Sequence, residues 1–299
     1  MRKFLVPFAA LIVALTVPAA AQDEDCDQYR AGAEAGASDD QLDLAVCLFG
    51  SQLANERSEG MDWARKAMAA GEVEAKNAVA VGLINGIGGE TDEAEGQRLM
   101  EEAAAEGSYG AQLSLAEHYL NEGGFYEKDD AKGLALLMQA AEGGKVKGPS
   151  LGEVEWRIGM MHLDGRGTPK DSEQAFVWVT RGADNGFDSA MISRAVMLAT
   201  GDGVAEDDAA ARDWYSKAID ARGESMFHAM RGLGAMNWFG EGGPVDRAEG
   251  CALLNLAYVG GDEYAEEILD SIVDEMTEDE KNACSAETEK RIAALQAES

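Results

Sequence analysis

The chain has 299 residues, with 25 Lys and Arg against 56 Asp and Glu, for a formal charge of -31. A surface this acidic repels phosphates at long range, so neither nucleic acid nor an anionic membrane surface is an expected ligand. The first predicted element is a leader: Arg2 and Lys3 make a basic start, Phe4 to Val17 an apolar run, and Ala19-Ala20-Ala21 a small-residue cleavage site. That is the pattern of a secretory signal peptide over residues 1–21. The run falls short of the roughly 18 apolar residues that a membrane helix needs, and no later segment approaches it, so no membrane insertion is expected. With no cysteine at the cleavage site a lipid anchor is not indicated, and the protein is expected to be periplasmic or secreted.

An acidic segment, residues 22–38, follows. Asp23, Asp25, Asp27 and Glu34 fit positions of a calcium loop, but Gln28 stands where the sharp turn requires glycine and no helix enters. A disordered start without metal is expected instead. Residues 39–74 read as a degenerate first repeat, with Trp63 at its large apolar position. Five units then span 75–264. Each carries a short glycine turn: GIG at 86–88, EGG at 122–124, GRG at 165–167, GDG at 201–203 and GEG at 240–242. An aspartate follows each turn, namely Asp92, Asp130, Asp171, Asp207 and Asp246, and seven residues later comes Leu99, Leu137, Trp178, Trp214 or Leu253. Unit starts at Ala75, Ala111, Val154, Ala190 and Ala229 are spaced 36, 43, 36 and 39 residues apart.

A period in the mid-thirties with alternating apolar stripes predicts a helix A, a turn and a helix B per unit, stacked so that neighbours bury each other's apolar faces. Glycine supplies the positive φ that ends helix A. The aspartates are placed to cap helix B, and Asp92-x-x-Glu95, Asp171-x-x-Gln174 and Asp246-x-x-Glu249 have the form of a capping box. Residues 265–299 supply a C-terminal half-repeat and a capping helix, AETEKRIAALQ.

The stretches GDGVAEDDAAARDWYSKAIDARG and DGRGTPKDSEQAFVWVTRGADNG resemble the Sel-one-like repeat, a relative of the tetratricopeptide family, and the similarity extends over roughly residues 75 to 265. The resemblance implies an all-α fold, a right-handed α-solenoid, used as an adaptor or scaffold in bacterial envelopes and signalling assemblies. Some periplasmic members restrain an envelope sensor or support polysaccharide export. A cysteine-rich subgroup carries a disulfide in every repeat; this chain has no cysteine pair per unit, so activities of that subgroup do not transfer.

One motif points elsewhere. GPSLG at 148–152 has the G-x-S-x-G spacing of a nucleophile elbow, which makes an envelope hydrolase the alternative function. The elbow requires a preceding strand, whereas a B helix precedes it here, and His118, His162 and His228 carry no general-base signature. Ser150 is therefore expected to be a loop serine, and no catalytic residue is assigned. Recurring tryptophans read as core. Histidine and cysteine spacing fits neither zinc nor haem, and no nucleotide loop is present, so no cofactor is expected.

The cysteines fall two and two. Cys26 with Cys47 and Cys251 with Cys284 suit an oxidising compartment and predict one staple at each end, with free buried thiols as the alternative. Between them, the unit at 111–153 departs from the period twice. FYEKDD adds two residues to its inner turn, placing Phe125 and Tyr126 on a loop. GGKVKGPSLG extends its exit and adds Lys145 and Lys147. These four residues are the predicted protein-binding site, aromatic anchors beside a small basic patch; the alternative is loop drift, with Phe125 folded over helix ends. The expected function is a non-enzymatic periplasmic scaffold or regulator, an adaptor of an envelope signalling or export assembly, whose partner is another protein lying along successive A helices.

Overall fold

The computed structural model describes residues 26–89, 91–122, 126–144 and 146–297, and these form fifteen α-helices and no strand. The leader, Asp23 and Asp25, Phe125 and Lys145 lie outside the described residues. The chain divides into two compact units that meet in sequence between Val146 and Lys147. The first contains α1 (Asp27–Glu34), α2 (Ser38–Phe49), α3 (Ala54–Ala69), α4 (Val73–Asn85), α5 (Glu93–Ala105), α6 (Tyr109–Leu120) and α7 (Asp130–Glu142). The second contains α8 (Pro149–Asp164), α9 (Ser172–Asp184), α10 (Asp188–Thr200), α11 (Asp208–Asp220), α12 (Met226–Phe239), α13 (Arg247–Val259), α14 (Glu263–Val273) and α15 (Glu278–Ala297).

In both units each A helix packs on its own B helix, as α4 on α5 and α12 on α13. Each B helix then packs on the next A helix, as α5 on α6 and α11 on α12. Close approach within a pair depends on a small residue. A Cβ added to Gly96 would lie 2.9 Å from the carbonyl oxygen of Ala80, and one added to Gly250 would lie 2.8 Å from that of Gly234. The apolar stripes close into cores, one built on Leu44, Trp63, Val79 and Leu99, another on Tyr215, Met230, Leu253 and Leu254, and a smaller one on Ala175, Val179 and Met197.

The turn between helices A and B has a specific chemistry. Its second glycine is the stringent one. Gly203 and Gly242 combine a positive φ (74° and 68°) with a position against the backbone of Ser172 and Asp208, at the start of the preceding B helix, where any side chain would collide. The aspartate after the turn works twice. Asp92, Asp171, Asp207 and Asp246 each donate the backbone N–H to a carbonyl nine residues back, on Leu83, His162, Leu198 and Asn237. Each carboxylate accepts the N–H three residues on, at 3.0 Å.

This geometry corrects three expectations. In the second unit of the repeat the cap is Asp129, not Asp130: Asp129 donates to Tyr119 O and its carboxylate accepts from Lys132 N at 3.0 Å, while Asp130 is the first residue of α7. Counted from Asp129 the inner turn holds one extra residue, and Gly133 falls at the small position occupied elsewhere by Gly96, Ala175, Ala211 and Gly250. Alanine at Asp129 should therefore cost about 1 kcal/mol of stability, whereas alanine at Asp130 should cost about 0.5 kcal/mol or less; urea unfolding of the two variants checks this. The capping boxes are also half-made. The Asp92 and Asp246 N–H groups are used to close the loop, so Glu95 turns to Arg98 and Glu249 to Arg291. A reciprocal box forms at α15, where Thr277 N donates to Glu280 Oε2 at 2.8 Å and Glu280 N donates to Thr277 Oγ1 at 3.2 Å. The Thr277 backbone N–H and Arg247 hold the Glu280 carboxyl down at about 2.

The third correction concerns local order. Residues 27–34, expected to be disordered, form α1, which packs on α2 and is joined to it by Cys26–Cys47; Arg30 reaches Glu59 at 2.5 Å. GPSLG is not a loop either. Gly148, at φ 76°, is the N-cap of α8, Pro149 opens the helix and Ser150 lies in its first turn, with no strand before it. At the other end α15 packs on α13, to which Cys284 joins it through Cys251.

Candidate protein-binding surface

The A helices of the second compact unit share one face whose residues are exposed or half-buried, in register from helix to helix. One residue before the buried starts Val154, Ala190, Ala229 and Ala265 stand Glu153, Ser189, His228 and Tyr264. Six after the starts come Met160, Val196, Ala235 and Ser271, and ten after come Asp164, Thr200 and Phe239. Steps of seven and four residues stay on one helical face. On that face Val196 is 43% exposed, Phe239 58% and Tyr264 66%. Large apolar groups in water on one shared helical face suit a contact surface rather than core.

Polar links between neighbouring A helices hold this surface in place. Trp156 donates its indole N–H to Ser193 Oγ at 2.9 Å. The Ser189 and Ser225 hydroxyls lie 2.9 Å apart, Asp188 accepts Ser225 N at 2.9 Å, and Arg231 donates to Asp262 at 2.8 Å. In the first compact unit Glu74 plays the same part, accepting Ser108 Oγ at 2.6 Å and Tyr109 N at 2.8 Å at the start of α6. A helix N-terminus favours a carboxylate there.

Buried carboxylates that a catalytic reading would single out are committed to the fold. The Glu155 side chain, 2% exposed, is held by Arg181 at 2.8 Å and Asn185 at 2.7 Å. Among the histidines, His162 is buried in α8, His228 is exposed on α12, and burial pushes the His118 imidazole below its ordinary value. Among the described residues no group of three or more His, Cys, Asp or Glu is placed to hold a metal ion.

Of the four predicted site residues, Tyr126 and Lys147 lie among the described residues. Tyr126 folds inward, its ring stacked on Tyr119 at 4.7 Å and its hydroxyl donating to Glu101 at 2.5 Å; burial and the Glu101 carboxylate push that hydroxyl's pKa up. Lys147 is exposed ahead of α8, and Phe125 and Lys145 lie outside the described residues. Tyr126 thus serves the fold, because one extra residue in the turn is enough to carry its ring back onto α6.

Trp63, Trp178 and Trp214 each have a cation three residues on, and Lys66, Arg181 and Lys217 lie over those rings at 3.5, 4.1 and 3.8 Å. Cation over indole shields the outer face of the core.

Sel1 repeats match at residues 73–108, 110–145, 152–187, 188–222 and 227–262, together more than half of the chain. The chain belongs to the Sel1 repeat family. Proteins built from Sel1 repeats generally mediate protein–protein interactions. Two solved structures share the fold. One is a protective antigen of uropathogenic Escherichia coli strains displaying an SLR fold (24% identity, TM-score 0.68), with the match covering 90% of this chain and 56% of that protein. The other is a Sel1 repeat protein from Oxalobacter formigenes (21% identity, TM-score 0.59), covering 73% of this chain and 83% of that one. The Sel1 chain thus spans little more than half the length of the antigen. Among curated proteins no match emerges. The family also accounts for the break in spacing at 146–151, which falls between its second and third matched repeats.

Proposed function

We propose that this Sel1 repeat protein is a non-enzymatic scaffold or regulator of the periplasm or cell exterior, an adaptor of an envelope signalling or export assembly. It holds a segment of a partner protein along the exposed stripe of its A helices. The observation that carries this reading is the set of exposed side chains Val196, His228, Phe239 and Tyr264 on one face of A helices that are linked to each other by partly buried hydrogen bonds. Rigid spacing of contact groups lowers the ordering cost of binding. Two disulfides and the basic, apolar and small-residue order of the first 21 residues support the location. Phe125, Lys145 and Lys147 are proposed as auxiliary contacts of the same partner, with Tyr126 committed to Tyr119 and Glu101. The hydrolase alternative keeps no geometric support, since Ser150 sits in a helical turn with no strand before it.

A photoreactive amino acid at Val196 should crosslink to a partner in the native envelope, and one at Val177, exposed on the B helix α9, should not. Adducts of equal yield at both positions would refute the A-helix surface. Protein recovered from that envelope should lack residues 1–21 by intact mass.

A further inference from the structure

The open face of the A helices in the second compact unit changes its chemistry from one helix to the next. Counted from the buried starts Val154, Ala190 and Ala229, two positions carry the change, the residue before the start and the residue ten after it. On α8 these are Glu153 and Asp164, exposed carboxylates with no ion pair among the described residues. On α10 they are the hydroxyl residues Ser189 and Thr200, and on α12 the exposed rings of His228 and Phe239. On α14 the first of the two is Tyr264 and the second, Glu275, lies past the helix end, so the change from two carboxylates to none is complete across three helices. Between the two positions, six after each start, the face is uncharged: Met160, Val196 and Ala235. Two cations stand close to this face. Arg231 is committed to Asp262 at 2.8 Å. Arg157 stands three after its start, a position that turns toward the preceding helices in the next two repeats. There Ser193 accepts the Trp156 indole N–H, and a Cβ added to Gly232 would lie 2.5 Å from the Tyr215 ring.

We propose that this face takes an extended segment of the partner protein with an arginine or lysine over α8 and an aromatic residue over α12. The proposal rests on the protein-binding reading above and adds to it the order and spacing of the side chains the partner supplies. Charge sets one end. On a chain of formal charge -31, the exposed Glu153 and Asp164 attract a cation and oppose an acid. Apolar contact sets the other end, where Phe239, 58% exposed, gains by being covered and aromatic groups are favoured interface anchors. Geometry sets the spacing. α8 packs on α10 and α10 on α12; packed helices lie about 8–10 Å apart, so the two ends are about 16–20 Å apart. An extended chain advances about 3.3 Å per residue and covers that span in about five or six residues. Met160, Val196 and Ala235 give the connecting residues a floor without charge.

The test is calorimetric titration of the purified protein with capped peptides in which an arginine and a phenylalanine are separated by a Gly-Ser-Gly-Ser spacer, made in both chain orders. The better order should bind at least tenfold tighter than the same peptide with glutamate for its arginine, with alanine for its phenylalanine, or with a single glycine as spacer. Two double variants borrow the residues of α10. Glu153→Ser with Asp164→Thr should abolish the preference for arginine over glutamate and keep that for phenylalanine over alanine; His228→Ser with Phe239→Thr should do the reverse. All four positions are exposed, so both variants should keep the parental melting temperature. Should either lose helical content, the single variant Asp164→Thr or Phe239→Thr makes the same comparison. Equal binding of all the peptides, binding of none, or survival of both preferences in both variants would each overturn the proposal. Self-association of the protein that disappears in Phe239→Thr would assign the face to a second copy and overturn it as well. Crosslinking from Val196 reads the A-helix surface independently, so a partner captured there without peptide selectivity refutes the ordered segment and leaves the scaffold standing.

Discussion

Replacing Trp178 by alanine should destabilise the protein by about 3–5 kcal/mol, the range for removing a large aromatic side chain from a core. The residue is 5% exposed on α9, which packs on both α8 and α10. Its loss acts on a second layer as well. The Arg181 guanidinium rests on the indole and also pairs with the buried Glu155 carboxylate, so removing the ring loosens the one cation bonded to that charge among the described residues. A buried carboxylate left poorly paired adds to the cavity term. Trp178→Phe should recover most of the loss, because it keeps the bulk and a face for Arg181. Val177→Ala is the control: Val177 is 49% exposed on the same helix, and its truncation should change stability by about 0.5 kcal/mol or less. Urea unfolding followed by circular dichroism measures all three. An unchanged midpoint for Trp178→Ala would show that repeat-to-repeat packing does not run through the ring.

The repeat was legible in the sequence because its strongest signals are local. A glycine that must adopt positive φ, an aspartate that caps, and a large apolar residue seven positions on all lie within one turn and one helix. Gly201, Gly203, Asp207 and Trp214 take those roles in the structure. What was misread depends on pairings that spacing alone does not carry. At Asp129-Asp130 two candidates stand side by side, and the choice is made by which N–H reaches Tyr119 O. The capping boxes form by half because the same N–H group has a competing acceptor across the turn, Leu83 O for Asp92 and Asn237 O for Asp246. Tyr126 looks like a loop aromatic in the sequence because its partners, Tyr119 and Glu101, lie in two helices distant in the chain. Lys66, Arg181 and Lys217 were within reach: a cation three residues past each tryptophan is a helical neighbour by elementary geometry. The exposed apolar residues of the A helices are not legible one by one, since Val196 or Tyr264 looks like core until the faces covered by α9, α11 and α13 are known.

Limited reduction should open Cys26–Cys47 well before Cys251–Cys284, and the two losses should have different structural consequences. Cys251 and Cys284 are each 4% exposed, whereas Cys26 and Cys47 are only half-buried, so a thiolate reductant reaches the N-terminal bridge first. Closing loops of 21 and 33 residues, the bridges should each contribute about 3–4 kcal/mol in the chain-entropy account. Local support differs more than that entropy does. The helix α1 has eight residues, too few to persist unaided, and beyond the bridge it is tied down chiefly by packing on α2 and by Arg30 to Glu59. The helix α15 has twenty residues and keeps Arg291 to Glu249, Arg247 to Glu280 at 2.7 Å, and a reciprocal cap at Thr277 and Glu280. Cys26→Ala with Cys47→Ala should therefore abolish hydrogen-exchange protection across residues 27–34. Cys251→Ala with Cys284→Ala should lower the unfolding midpoint of the second compact unit while α15 stays protected below it. Alkylation and peptide mapping after graded reductant give the order of opening. Labelling of Cys251 and Cys284 first, or at the same rate, would show that burial does not govern access, and loss of α15 with its bridge would show that the disulfide rather than α13 holds the C-terminal helix.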